Sequence, residues 1–418
     1  MKNKNLFQKI VLIALAVAVL VALVAPAIFS QTLPAPKQEK LLNGLRVLMW
    51  SDAKANDVAV KIRVHAGSAF DPQGKEGVMQ LLADNIFPNE TAREFFTEDL
   101  GGSLEIVTNY DYIQINASSK PDQFLTMLET LASAVSNMPI DKETTVKLRN
   151  ALATKLAGLE ADPAYVADQA VAKRLFGTFP YGRPRYGTPG SLQKIDFADL
   201  IDAKQRFLTA DNATVAVTGN FDKALGFRAI RRYFGGWLKS DKKVPTTFRQ
   251  PDDAPTTILY IVPPIPEIVA LRFAVRGVAR NDKDFAASMV FTSILENRLK
   301  AKGSTVNSND LFVRNEAHAL PGIISVGFSV GGSDLVGKSL SDPVTDAEFQ
   351  AARSWLLAVL SKKDTAALWL DADTYKLVGA DADLRSAETV TLADVNTYAE
   401  KLRKFPMVSV LMSAPPTK

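Results

Sequence analysis

The chain has no cysteine, which excludes disulfides, thiolate zinc sites and cysteine nucleophiles. It has only two histidines, His65 and His318, so any metal centre or acid–base pair built on imidazole would have to draw on residues more than half the chain apart. No run of five like charges occurs. Basic side chains are not clustered as a nucleic-acid surface requires. A G-x-S-x-G elbow is missing too, so a Ser-His-Asp hydrolase has no support. The formal charge is +4. Lys2, Lys4 and Lys9 lie in an acid-free N-terminal stretch, and without them the balance is about +1.

What is present is a globular composition, 47% apolar and 22% charged, over 418 residues. That length suits about two domains. The three lysines precede an apolar run from Ile10 to Val24, followed by Ala25-Pro26-Ala27 and Ser30. This is a secretory-signal layout. Extended to Phe29, the run is also long enough to span a bilayer. A cleaved signal and a retained anchor both fit over residues 1–30, with a spacer at 31–37. Either way the remainder is expected on the periplasmic or extracytoplasmic side.

Leu41-Leu42, Asn43-Gly44 and Leu45-Arg46-Val47-Leu48 read as a hairpin. Val58, Val60, Ile62 and Val64 alternate with Ala59, Lys61, Arg63 and His65, a half-buried strand with His65 on its polar face. A helix is expected from about Gly77. Asp141 is placed to cap a long helix running towards Glu160. Residues 239–257 are polar and proline-containing and read as a linker between domains at 38–238 and 258–418.

The two parts repeat one layout. A helix opens at Ile195-Asp196-Phe197-Ala198-Asp199-Leu200 and again at Val390-Thr391-Leu392-Ala393-Asp394-Val395. Strands follow at the same offset, 213–218 and 408–413, and Val58 to Gly67 reads like Ile268 to Gly277. The expected fold is α+β: two duplicated domains, each a mainly antiparallel or mixed sheet with helices on one face.

Gly332-Ser333-Asp334-Leu335-Val336-Gly337-Lys338-Ser339 fits the phosphate-loop pattern. A working phosphate loop needs a helix starting at the Lys-Ser pair. Pro343 follows too soon, and the segment reads as a loop.

An ordered set of segments carries a resemblance. It comprises Leu42-Asn43-Gly44-Leu45-Arg46-Val47-Leu48, Ala66-Gly67-Ser68, residues Gly77 to Phe87, Gly101-Gly102, Thr108-Asn109-Tyr110-Asp111, residues Tyr181 to Thr188, and Val217-Thr218-Gly219. Together they resemble the pitrilysin/insulinase family of inverted zincins over roughly residues 38–415. Active members carry H-x-x-E-H on the corresponding helix. Positions i and i+4 share a helix face, so two imidazoles can hold one zinc while the Glu serves as general base.

Here the pattern is Gln80-x-x-Ala83-Asp84. Gln80 offers a neutral amide oxygen, Ala83 accepts no proton, and Asp84 alone cannot hold a metal. The resemblance puts the third ligand near Thr154, or at Glu160 if the alignment shifts. Zinc is therefore expected to be absent and no catalytic residue is assigned. The family's substrate-positioning Arg and Tyr map onto Lys300 or Lys302 and onto Val306, and Glu105 follows the Gly-Gly pair. Lys300, Lys302 and Glu105 are the candidate substrate-binding positions. The implied role is a non-catalytic peptide-binding or regulatory subunit beside an active zinc-peptidase homologue, or a homodimer. The alternatives are a structural envelope-assembly subunit and an active zinc endopeptidase. If the N-terminal segment is not cleaved, it would contact the membrane; no nucleic acid is expected.

Overall fold

The structure, a computed structural model, describes residues 34–240, 248, 251, 253–263, 270–302, 311–328 and 333–413. The N-terminal apolar run, most of the 239–257 linker and Val306 lie outside the described residues. No described helix is long and apolar enough to cross a membrane.

Two sheets organise the chain. The first contains β1 (Lys37–Lys40), β2 (Arg46–Ser51), β3 (Val58–Val64), β4 (Ser103–Thr108), β5 (Ile113–Ser119) and β6 (Ala213–Gly219). Its order is β1-β2-β6-β3-β5-β4. The second contains β7 (Ile258–Ile261), β8 (Ala270–Arg276), β9 (Phe312–Glu316), β10 (Ile323–Phe328) and β11 (Val408–Met412), in the order β7-β11-β8-β10-β9. Leaving β1 aside, the two orders correspond strand for strand. In each sheet one parallel contact, β2 with β6 or β7 with β11, sits among antiparallel ones. The duplication read from the sequence is thus a duplication of topology.

Local chemistry explains the elements. Asn43-Gly44 turns β1 into β2, with Gly44 at φ +92°, where a Cβ would strike Asp211. Asp141 accepts from the Thr144 amide at 2.8 Å and starts the helix Lys142–Glu160. Full capping boxes open Phe197–Phe207 (Asp196 with Asp199) and Leu392–Arg403 (Thr391 with Asp394) at matching places in the two halves. Each such cap is worth about 1 kcal/mol.

Each sheet buries one face against its own helices. In the first half Val58, Val60, Ile62 and Val64 meet Leu81, Leu128, Leu152 and Ile230 in one core. The second half packs Val275 and Ile324 on Phe291, Leu356 and Tyr398.

The opposite faces are covered reciprocally. The helix Pro163–Phe176 of the first half lies on β8 and β11, placing Val171 and Leu175 against Ala274, Val408 and Val410. The helix Thr365–Tyr375 of the second half lies on the first sheet, placing Ala366 and Leu370 against Leu48 and Ala216. Sequence reasoning put helices on one face only; among the described residues the other face of each sheet also receives a helix from the other half.

The segment 333–341 is a helix rather than a loop. Its Lys338 falls in the last turn, so no helix N-terminus faces a phosphate at the Lys-Ser pair. Gly332 lies outside the described residues.

Candidate functional site

The helix that carries the degenerate motif, Val78–Asp84, begins at Gly77, whose φ of +107° suits glycine. Asp71 holds that start: its carboxylate accepts from the amides of Gly77 at 2.8 Å and Met79 at 2.7 Å. Burial pushes the Asp71 carboxyl up to about 7, against the pull of those two amides and of Arg183. Arg183 is fixed by the carbonyls of Asp71 and Ala69 at 2.8 and 2.9 Å. The loop that carries it, in the Tyr181–Thr188 segment, is thereby anchored to the helix start.

Along this helix Val78 to Ala83 are all buried. The Gln80 side-chain amide donates to Asp84 Oδ1 at 2.9 Å, so the two outer positions of the motif are bonded to each other. Ala83 is fully buried and carries no polar atom. Burial pushes the Asp84 carboxyl upward, while the Gln80 amide and then the charges of Lys155 and Arg93 draw it down. Lys155 is held with its ammonium 4.3 Å from the centre of the Tyr186 ring. Sequence reasoning missed Lys155 and Arg93. Their only signal was that Lys155 stands between Leu152 and Leu156, two members of the buried stripe of its helix.

Thr154 stands on the exposed side of the same helix, and its hydroxyl donates to the Asn150 carbonyl at 3.1 Å. Glu160 lines a cleft of about 550 Å³ shared with Glu76, Tyr165 and Arg183. Among the described residues no three His, Asp or Glu side chains are grouped to hold a metal ion. The residues present do not fit zinc. One amide and one carboxylate already bonded to each other cannot supply a tetrahedral donor set.

The substrate-binding candidates are not brought together. Lys300 is exposed and bonds Glu296 one helical turn away at 2.7 Å. Lys302 ends the same helix. Glu105 lies on β4, where its carboxylate accepts from Asn116 at 3.0 Å. β4 is an edge strand, bonded to β5 alone among the described residues. The Val78–Asp84 helix packs against it.

Both histidines lie where the halves meet, which the polar-face reading of His65 did not foresee. His65 Nδ1 is 3.0 Å from Thr374 Oγ1, and Nε2 is 3.0 Å from Thr214 Oγ1. Thr214 in turn bonds Asp373. Burial holds the His65 imidazole down at about 4, against the attraction of Asp373. His318 Nδ1 bonds Asp111 Oδ2 at 2.9 Å and its ring lies 4.4 Å from that of Tyr181. Beside them Arg63, 3% exposed, bonds Asp371 and Gln114 at 2.6 Å each.

The comparisons with known proteins agree with this architecture. A model described as Insulinase (Peptidase family M16) matches residues 46–189, and one described as Peptidase M16 inactive domain matches 194–354. An uncharacterised zinc protease of Rickettsia bellii is 21% identical over 208 residues, covering 49% of this chain and 50% of that protein. A probable mitochondrial-processing peptidase subunit beta of Arabidopsis thaliana is 23% identical over 269 residues, covering 63% and 50%. The chain thus spans about half the length of these curated relatives.

Among solved structures, a protease from Helicobacter pylori superposes with a TM-score of 0.81 at 15% identity, covering 91% of this chain and all of that one. A peptidase M16 inactive domain from Pseudomonas fluorescens gives 0.80 at 18% identity, covering 92% and 98%. A chain of complex III2 from Candida albicans gives 0.72 at 16% identity, covering 91% and 96%. The chain belongs to the M16 peptidase family, the insulinase family, with its two-domain fold and a degenerate zinc motif.

Proposed function

We propose that the protein is a non-catalytic M16 homologue that binds extended peptide beside an active zinc-peptidase partner. The observation that carries this reading is the Gln80–Asp84 hydrogen bond. It ties the neutral Gln80 amide to the carboxylate at the other outer position, where active members have two imidazoles, while the buried Ala83 leaves no general base. Zinc is accordingly absent from the working protein in this account.

Peptide recognition falls to β4. Its outer edge offers backbone donors and acceptors to an added strand, with Glu105 on β4 itself and Asn116 on the neighbouring β5. The N-terminal run with its lysine flank supports export to the extracytoplasmic side. The test is affinity purification of the full chain from its native envelope. The expected result is co-purification of an M16 homologue with an intact H-x-x-E-H motif, the pair cleaving a peptide that this chain alone binds but leaves intact. Cleavage by the isolated chain, lost in Asp84→Ala, would overturn the reading.

A structural role is the second reading, favoured by the likeness to a complex III chain. Recovery of integral membrane proteins, together with no peptide binding by the isolated chain, would select it.

A further inference from the structure

A cleft of about 520 Å³ opens in the first half, away from the degenerate motif. It lies between the end of the helix Phe124–Ser136, the helix Phe197–Phe207 and residues 237–239. Met138, Ile140, Ile201 and Trp237 give it apolar walls. Its volume lies in the range of small-molecule sites.

Three polar groups of this cleft, on Thr209, Ser136 and Lys204, have hydrogen bonds still to make. Thr209, only 3% exposed, has a hydroxyl with no partner among the described residues, and so does Ser136. Lys204 gives one hydrogen bond to the Met138 carbonyl at 2.7 Å, and an ammonium has two more to give. Lys239 adds a second cation at the rim. Among the described residues no carboxylate lines the cleft. Burial lowers the Lys204 pKa, and among the described residues no carboxylate is paired with its ammonium, which holds its charge at some cost. Buried hydroxyls without partners are costly as well. An acceptor carrying negative charge would relieve all three groups, and an aliphatic body would cover the apolar walls.

We infer that this cleft is a binding site for an aliphatic carboxylate, its head on Lys204 and Thr209 and its chain along Met138, Ile201 and Trp237. The inference is independent of the peptide-binding reading, since it uses none of the same residues.

The test is calorimetric titration of the full chain with decanoate and with decan-1-ol, which has the same chain without the charge. Decanoate should bind at least tenfold more tightly than the alcohol. Lys204→Met should abolish that difference while leaving alcohol binding unchanged. Thr209→Val should weaken decanoate severalfold without lowering the melting temperature, because the native hydroxyl has no partner to lose. Equal binding of acid and alcohol, no binding of decanoate, or unaltered decanoate binding in either variant overturns the inference. If Lys204→Met does not fold, Thr209→Val decides.

Discussion

Asp111 and His318 stand 207 positions apart and meet at 2.9 Å, one from each half of the molecule. Asp111 Oδ1 also accepts from the Tyr181 hydroxyl at 3.0 Å and from the Ala319 amide at 3.2 Å. The Tyr181 oxygen in turn accepts from the Leu320 amide at 3.1 Å. A single buried carboxylate therefore joins the Tyr181 loop of the first half to the approach to β10 in the second.

Removing that carboxylate leaves several buried donors without acceptors. Asp111→Ala is expected to cost about 3 kcal/mol. Asp111→Asn keeps one oxygen for Tyr181 and Ala319 and should cost about 1 kcal/mol. Thermal unfolding of both variants checks this. Equal losses would show that the acceptor network is not what holds the halves together.

The other histidine makes stability depend on pH. His65 titrates at about 4 in the fold against about 6.5 in the unfolded chain. The folded state therefore binds the proton less well than the unfolded one. The stability from holding the imidazole neutral is full above pH 6.5 and is lost as pH falls through to about 4. The loss amounts to about 3 kcal/mol at most. Melting temperature followed from pH 7 to pH 4 should fall less steeply in His65→Gln than in the parent, and parallel curves would contradict this.

The motif helix yields a third expectation. Ala83 is fully enclosed between core side chains. A glutamate there places a carboxylate among apolar groups. Ala83→Glu should lose about 3 kcal/mol or more and gain no activity. Denaturant titration measures the loss. A variant as stable as the parent would show room for a catalytic base that the packing denies.

Much of this was legible from the residues. The Asp141 cap, the paired capping boxes at Asp196 and Thr391 and the Asn43-Gly44 turn are local signals, and each falls where expected. Alternation showed which face of β3 is buried first. It could not show that Arg63 and His65 are covered on the other face, because their cover, the Thr365–Tyr375 helix, lies three hundred residues away. The same holds for Pro163–Phe176, whose stripe marks a buried helix without saying whose sheet it covers. The loss at Gln80, Ala83 and Asp84 was plain from residue type. The mutual bond of Gln80 and Asp84 and the cation at Lys155 needed three dimensions.

The central claim is that this chain keeps the M16 scaffold without its metal. The most direct measurement is zinc content per chain, by elemental analysis of the full protein equilibrated with excess zinc and then freed of unbound metal. The account predicts far less than one zinc per chain, unchanged in Asp84→Ala. One zinc per chain in the parent, lost in Asp84→Ala, would contradict it.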